Sequence, residues 1–199
     1  GRFGTGLPGK TAGVFYSTLY AYDPAFRMTR ITNFGAGAEQ RLFGDVNGDG
    51  MDDALAVFSS VLGATQTVWR VEAALSDGSD FTNPSTWLSW TNSTGTETAM
   101  PGDVDGDGDE DLVFFRNNGG TWNVALSAGS AFEPPVLWSS GNGAGSDHQF
   151  LGDMDGDGKA DAIISWATWH GGDWRSGLSS GSGFGAFGIR EQGFGSNRV

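Results

Sequence analysis

Apolar residues come in short bursts along this chain, separated by polar, glycine-rich clusters. Three bursts, ALAVF (54–58), LVFF (112–115) and AIISW (162–166), are too short for ordinary helices. They are rich in β-branched and aromatic residues and bounded by Gly, Ser, Asn and Asp, which is how strands are punctuated. No stretch keeps an i, i+3, i+4, i+7 apolar pattern over three turns. The pattern predicts an all-β chain of short antiparallel strands.

The bursts belong to a repeat. Each follows an acidic loop, DVNGDGMDD (45–53), DVDGDGDED (103–111) or DMDGDGKAD (153–161), so the loops start 58 and 50 residues apart. Later in each unit come LSDGSDF (75–81), LSAGSAF (126–132) and LSSGSGF (178–184). Trp122 and Trp174 stand four residues before the Leu of that turn. Trp69 stands six before it, an even offset that keeps it on the same strand face. Gly37, Gly95 and Gly145 each precede their loop by eight residues. A period of this length signals repeat architecture. The chain is read as one repeat domain, 1–199: an N-terminal half-repeat (1–44) and repeats at 45–102, 103–152 and 153–199.

Charge sharpens the picture. The net charge is −13, and 14 of the 24 acidic residues sit in the three loops. Three divalent cations would bring −13 to −7, so the acidity reads mainly as metal sites. The same field repels nucleic acid and anionic membranes. With no cysteine, disulfides and thiol chemistry are excluded, and no apolar run is long enough to insert in a membrane.

Calcium takes six to eight hard oxygens in a tolerant geometry, which alternate side chains of a tight loop can supply. Here the carboxylate or amide donors are Asp45, Asn47, Asp49 and Asp53; Asp103, Asp105, Asp107 and Asp111; Asp153, Asp155, Asp157 and Asp161. The seventh position of each loop, Met51, Asp109 or Lys159, would donate a backbone carbonyl, which leaves its side chain free to vary. The twelfth position, where an EF-hand has Glu, is Ala56, Phe114 or Ile164, so the site must close on the ninth-position Asp and exit into a strand. About three Ca²⁺ per chain are expected.

The GD-x-[ND]-GDG-x-x-D loop, the apolar strand after it, the Trp-strand and the GS-x-F turn together resemble the FG-GAP (VCBS-type) repeat over nearly the whole chain. That family includes the integrin α-subunit head and a fungal sugar-binding lectin of the same shape. The resemblance implies a β-propeller, whole or partial, of four-stranded antiparallel blades with structural Ca²⁺ in the loops. Complete rings in the family usually have seven blades, whereas this chain carries about three and a half repeats. The expectations are a small closed ring, a ring completed by a homodimer, or a segment of a longer propeller.

Catalytic constellations are thin. The serines of the LS-x-GS turns lack a nucleophile context, and no carboxylate pair separates from the loop set. The best ligand candidates are Trp166, Trp169, His170 and Asp173, where aromatic faces and polar groups of the kind that bind sugars cluster. His148 is read as a polar loop residue. The chain is therefore read as a secreted, non-catalytic, calcium-stabilised module for glycans. The alternatives are part of a longer secreted polysaccharide-degrading enzyme and a protein-adhesion element. Sites with several carboxylates and no bidentate Glu suit the higher free calcium outside cells.

Overall fold

The computed structural model describes residues 19–22, 28–31, 34–93, 95, 97–167 and 172–191, which contain fourteen strands and no helix. A two-stranded hairpin, β1 (Leu19–Tyr22) and β2 (Met28–Ile31), precedes three four-stranded antiparallel sheets. Blade 1 comprises β3 (Gln40–Gly44), β4 (Asp53–Leu62), β5 (Gln66–Ala74) and β6 (Ser85–Ser93). Blade 2 comprises β7 (Thr98–Gly102), β8 (Asp111–Arg116), β9 (Thr121–Ala125) and β10 (Val136–Ser139), and blade 3 comprises β11 (His148–Gly152), β12 (Asp161–Ser165), β13 (Trp174–Gly177) and β14 (Gly188–Glu191). Within each blade the chain runs as a simple meander.

Each predicted apolar burst is the second strand of its blade, and each predicted Trp-strand is the third. The first strand lies before the acidic loop, so a repeat counted from the loop takes its first strand from the end of the preceding unit. Those first strands are half-exposed five-residue segments, QRLFG, TAMPG and HQFLG, with little apolar signal of their own. His148 opens β11 and is thus a strand residue. It pairs with Ser165, a register set by β12 and not by local sequence.

The first strands also lie side by side across blades, β3 against β7 and β7 against β11. The sheets therefore radiate from their first strands and pack face to face, as propeller blades do. One core lies between blades 1 and 2, where Leu55, Val57, Trp69 and Val71 meet Leu112, Phe114 and Phe132. A second lies between blades 2 and 3, where Val113, Phe115 and Trp122 meet Ala162, Ile164 and Phe184. Both faces of β8 are covered, which explains why it reads as an unbroken apolar run.

Tryptophan is the recurrent filler. Trp69 and Trp122, on corresponding strands, are 1% and 0% exposed. In the last strands, Trp87 packs edge-on against Phe132 of the next blade at 5.5 Å, and Trp138 against Phe184 at 5.2 Å. The Phe that ends the GS-x-F turn of blades 2 and 3 is therefore the peg that the preceding blade's Trp receives.

Candidate metal centres and an inter-blade cavity

The acidic loops connect the first and second strands of each blade. Their fourth and sixth residues take φ of 68° and 84° (Gly48, Gly50), 85° and 99° (Gly106, Gly108), and 83° and 90° (Gly156, Gly158), a region costly to any side-chain-bearing residue. The resulting curl turns backbone N–H groups inward onto the loop's own side chains. Asp103 accepts from Gly106 at 2.6 Å and Gly108 at 3.0 Å, Asp105 from Asp107 at 3.1 Å, and Asp107 from Asp109 at 2.9 Å. Asp153, Asp155 and Asp157 repeat the set, and Asp45, Asn47 and Asp49 follow it closely.

This curl brings one carboxylate oxygen each from Asp103, Asp105 and Asp111 within 4.8 Å of one another, and likewise from Asp153, Asp155 and Asp161. In loop 1 the third position is the amide of Asn47, leaving Asp45 and Asp53 as the corresponding carboxylates. Converging hard oxygens fit calcium, which tolerates irregular ligand geometry. The fifth-position Asp49, Asp107 and Asp157 stand outside these three-acid groups. Asp49 accepts the Asn47 amide at 3.1 Å, and Asp157 pairs with Lys159 Nζ at 2.5 Å.

The ninth-position aspartates, Asp53, Asp111 and Asp161, are fully buried and brace the blade as well. One oxygen of each accepts the N–H of the second loop residue, Val46, Val104 or Met154, at 2.9–3.3 Å. The other accepts the N–H of the turn serine, Ser76, Ser127 or Ser179, at 2.7–2.8 Å. Burial nevertheless pushes the Asp111 carboxyl up to about 7, against the pull of those two N–H groups. Burial also raises Asp53, Asp105, Asp109 and Glu110, with neighbouring carboxylates adding to it. A divalent cation would offset that desolvation and repulsion, so binding would add to folding stability.

The loops also join neighbouring blades. Glu110 N donates to Asp45 O at 2.7 Å, and Ala160 N to Asp103 O at 2.6 Å. Ser127 Oγ donates to Val46 O at 2.6 Å, and Ser179 Oγ to Val104 O at 2.5 Å. The seventh-position side chains extend the same contact: Asp109 lies against Gly48 of the preceding loop and Lys159 against Gly106, while Met51 lies near Gly78 of its own blade.

A cavity of about 140 Å³ opens between blades 2 and 3, lined by residues 141–144 on one side and Ile164, Trp166, Arg175 and Phe187 on the other. The Arg175 guanidinium lies 5.2 Å over the Trp166 ring, and one of its terminal nitrogens reaches Asp173 at 3.2 Å. Its Nε is buried without a hydrogen-bond partner. Of the four sequence-predicted ligand residues, Trp166 walls this cavity and Asp173 anchors Arg175, while Trp169 and His170 lie outside the described residues. Arg175, Asn142 and Phe187 were not predicted. The available signal was the residue after the strand tryptophan, which is Arg70 in blade 1, Asn123 in blade 2 and Arg175 in blade 3. In blade 1 the pair recurs, with Arg70 lying 4.0 Å over the Phe58 ring beside a cavity of about 260 Å³.

Residues 103–164, covering loop 2, most of blade 2 and loop 3, match the family model of the FG-GAP-like repeat. The chain is thus similar to FG-GAP-like repeat proteins. Among solved structures, a lectin from Agrocybe aegerita, described as recognising non-reducing terminal N-acetylglucosamine, matches with a TM-score of 0.63 and 18% identity. The match covers 87% of this chain and 46% of the lectin, so the chain spans less than half of that protein's length. At this identity the likeness speaks to the fold, which is that of β-propeller blades. Comparison with curated proteins finds no significant match.

Proposed function

We propose that this chain is a calcium-stabilised, glycan-binding propeller module that works outside the cytosol. The observation that carries the glycan reading is the cavity between blades 2 and 3, which sets an aromatic wall at Trp166 beside the Arg175 guanidinium and Asn142. Its volume of about 140 Å³ suits roughly one sugar ring, well below the ~300–1,000 Å³ of sites for larger ligands. A sugar offers an apolar ring face and acceptor oxygens to just such a pair. The propeller fold shared with a sugar-recognising lectin supports the same reading.

Calcium, when bound, would be held by the loop oxygens of positions 1, 3, 5 and 9 with the seventh-position carbonyl, and would supply charge balance and rigidity to the rims of the blades. The chain's own residues would do the recognition. The test is titration with N-acetylglucosamine and a glycan array, with calcium and with chelator. Binding in calcium that falls at least tenfold in Trp166→Ala and in Arg175→Ala supports the proposal. Unchanged binding in both variants would remove the cavity as the ligand site.

A further inference from the structure

We infer that the junction between blades 1 and 2 is a closed copy of the cavity between blades 2 and 3, and that Arg116, locked by Glu97, is the plug that closes it. This rests on the cavity being the glycan site proposed above.

The two junctions correspond residue by residue. Counting thirteen from the first Asp of the loop gives Arg116 in blade 2 and Trp166 in blade 3, and the residue after the strand tryptophan is Asn123 in one and Arg175 in the other. Phe114 corresponds to Ile164, and both face the preceding blade's core. At the blade 2–blade 3 junction, the arginine lies back over Trp166 and leaves open space in front of residues 141–144. At the blade 1–blade 2 junction, the arginine enters from the other strand and spans the gap. Its two terminal nitrogens donate to Ser93 Oγ and, at 3.1 Å, to Ser93 O, while one also meets Glu97 Oε1 at 2.5 Å. Glu97, whose side chain is fully buried, is held in turn by Asn92 Nδ2 at 3.0 Å.

Glycine spacing shows how close the plug lies. A Cβ on Gly95, eight residues before its loop, would lie 3.2 Å from Arg116 Nε, so the guanidinium rests on the backbone there. A guanidinium whose side chain is 15% exposed, paired with a fully buried carboxylate, is a costly way to fill space that an apolar side chain could fill, because both ions give up water. Its specific result here is an arginine laid from the end of β8 onto Ser93 and Glu97, across the place that stays open at the other junction. Arg116 is thus the residue that sets which junctions accept a sugar.

The experiment transplants the blade 3 pair into blade 2 as Arg116→Trp with Asn123→Arg, both in the wild-type chain and in Trp166→Ala. N-acetylglucosamine is titrated calorimetrically in calcium. The expected result is one additional site per chain in the transplant and recovery of a site in the Trp166→Ala background. Arg116→Ala, which only removes the plug, is a second route and should admit the sugar weakly, with a Kd at least tenfold above that of the wild-type site. If the wild type binds and Trp166→Ala loses a site, but the folded transplant and Arg116→Ala both leave the stoichiometry unchanged, the plug is refuted and the glycan reading stands. If Trp166→Ala has no effect on binding, the glycan reading of the cavity falls and the inference with it.

Discussion

At the scale of single residues, the loop aspartates divide into two kinds that calcium would tell apart. The Asp107 side chain is engaged within its own loop, where it accepts the N–H of Asp109, so Asp107→Ala should lower the melting temperature chiefly when calcium is present. Asp111 holds two backbone N–H groups, at 3.0 and 2.8 Å, inside the blade. Asp111→Ala leaves both donors buried and unpaired and should cost about 2–4 kcal/mol in chelator as well as in calcium. Paired melts in calcium and EDTA check both outcomes; equal losses for Asp107→Ala in the two buffers would contradict its role as a ligand. Glu97 carries a pH signature. Burial raises its carboxyl above the usual 4.5 despite the lowering pull of Arg116 and Asn92. The folded state then binds the proton more tightly than the unfolded chain, so stability falls as pH rises through the interval above 4.5. In chelator, wild type should lose more stability than Glu97→Gln between pH 4.5 and neutrality, and parallel curves would count against this.

At the scale of elements, the interface between blades rests on a few aromatic side chains. Trp122 is fully buried, 4.5 Å from Phe115 of its own blade and 5.7 Å from Phe184 of the next, with its Nε1 donating to Asn142 O at 2.9 Å. Trp122→Ala should cost about 3–5 kcal/mol by the cavity and lost burial, and more if the Asn142 carbonyl stays unpaired. Since Trp122 touches two blades, its loss should also weaken cooperativity, visible as a lower denaturant m-value. An m-value equal to that of the wild type would mean that the blades stay coupled through their first strands and loop bonds alone.

At the scale of the whole molecule, blade 3 carries an aromatic pair that no further blade covers among the described residues. Phe150 stacks on Trp174 at 5.8 Å with nearly parallel rings and is 43% exposed, whereas Trp69 and Trp122 are sealed by the following blade. Propellers keep blade edges short and protected, so an aromatic blade face favours association with another such sheet. We expect the chain to self-associate at micromolar concentration through this face, and Phe150→Asp to return it to a monomer. A monomeric wild-type mass by sedimentation or light scattering would overturn that expectation.

The repeat, the strand bursts and the convergence of the loop carboxylates were legible in the amino-acid order because each depends on neighbours in the chain. An Asp–Gly loop closes on itself through N–H bonds spanning two to five residues, and β4, β8 and β12 announce themselves by local apolar character. Propeller architecture was legible through the loop motif for the same reason. What depended on distant partners was not legible. The first strands gain their identity by pairing with the strand beyond the loop. That Asp111 braces the blade appears only when Ser127, sixteen residues away, donates to it. Trp166 could be named from its cluster of aromatic neighbours, but Arg175 and the facing residues 141–144 meet it only across a blade junction. What Arg116 and Trp166 meet was decided by tertiary structure, because their partners, Ser93 and Glu97 for one and residues 141–144 and Arg175 for the other, reach them only when the strands and loops are packed.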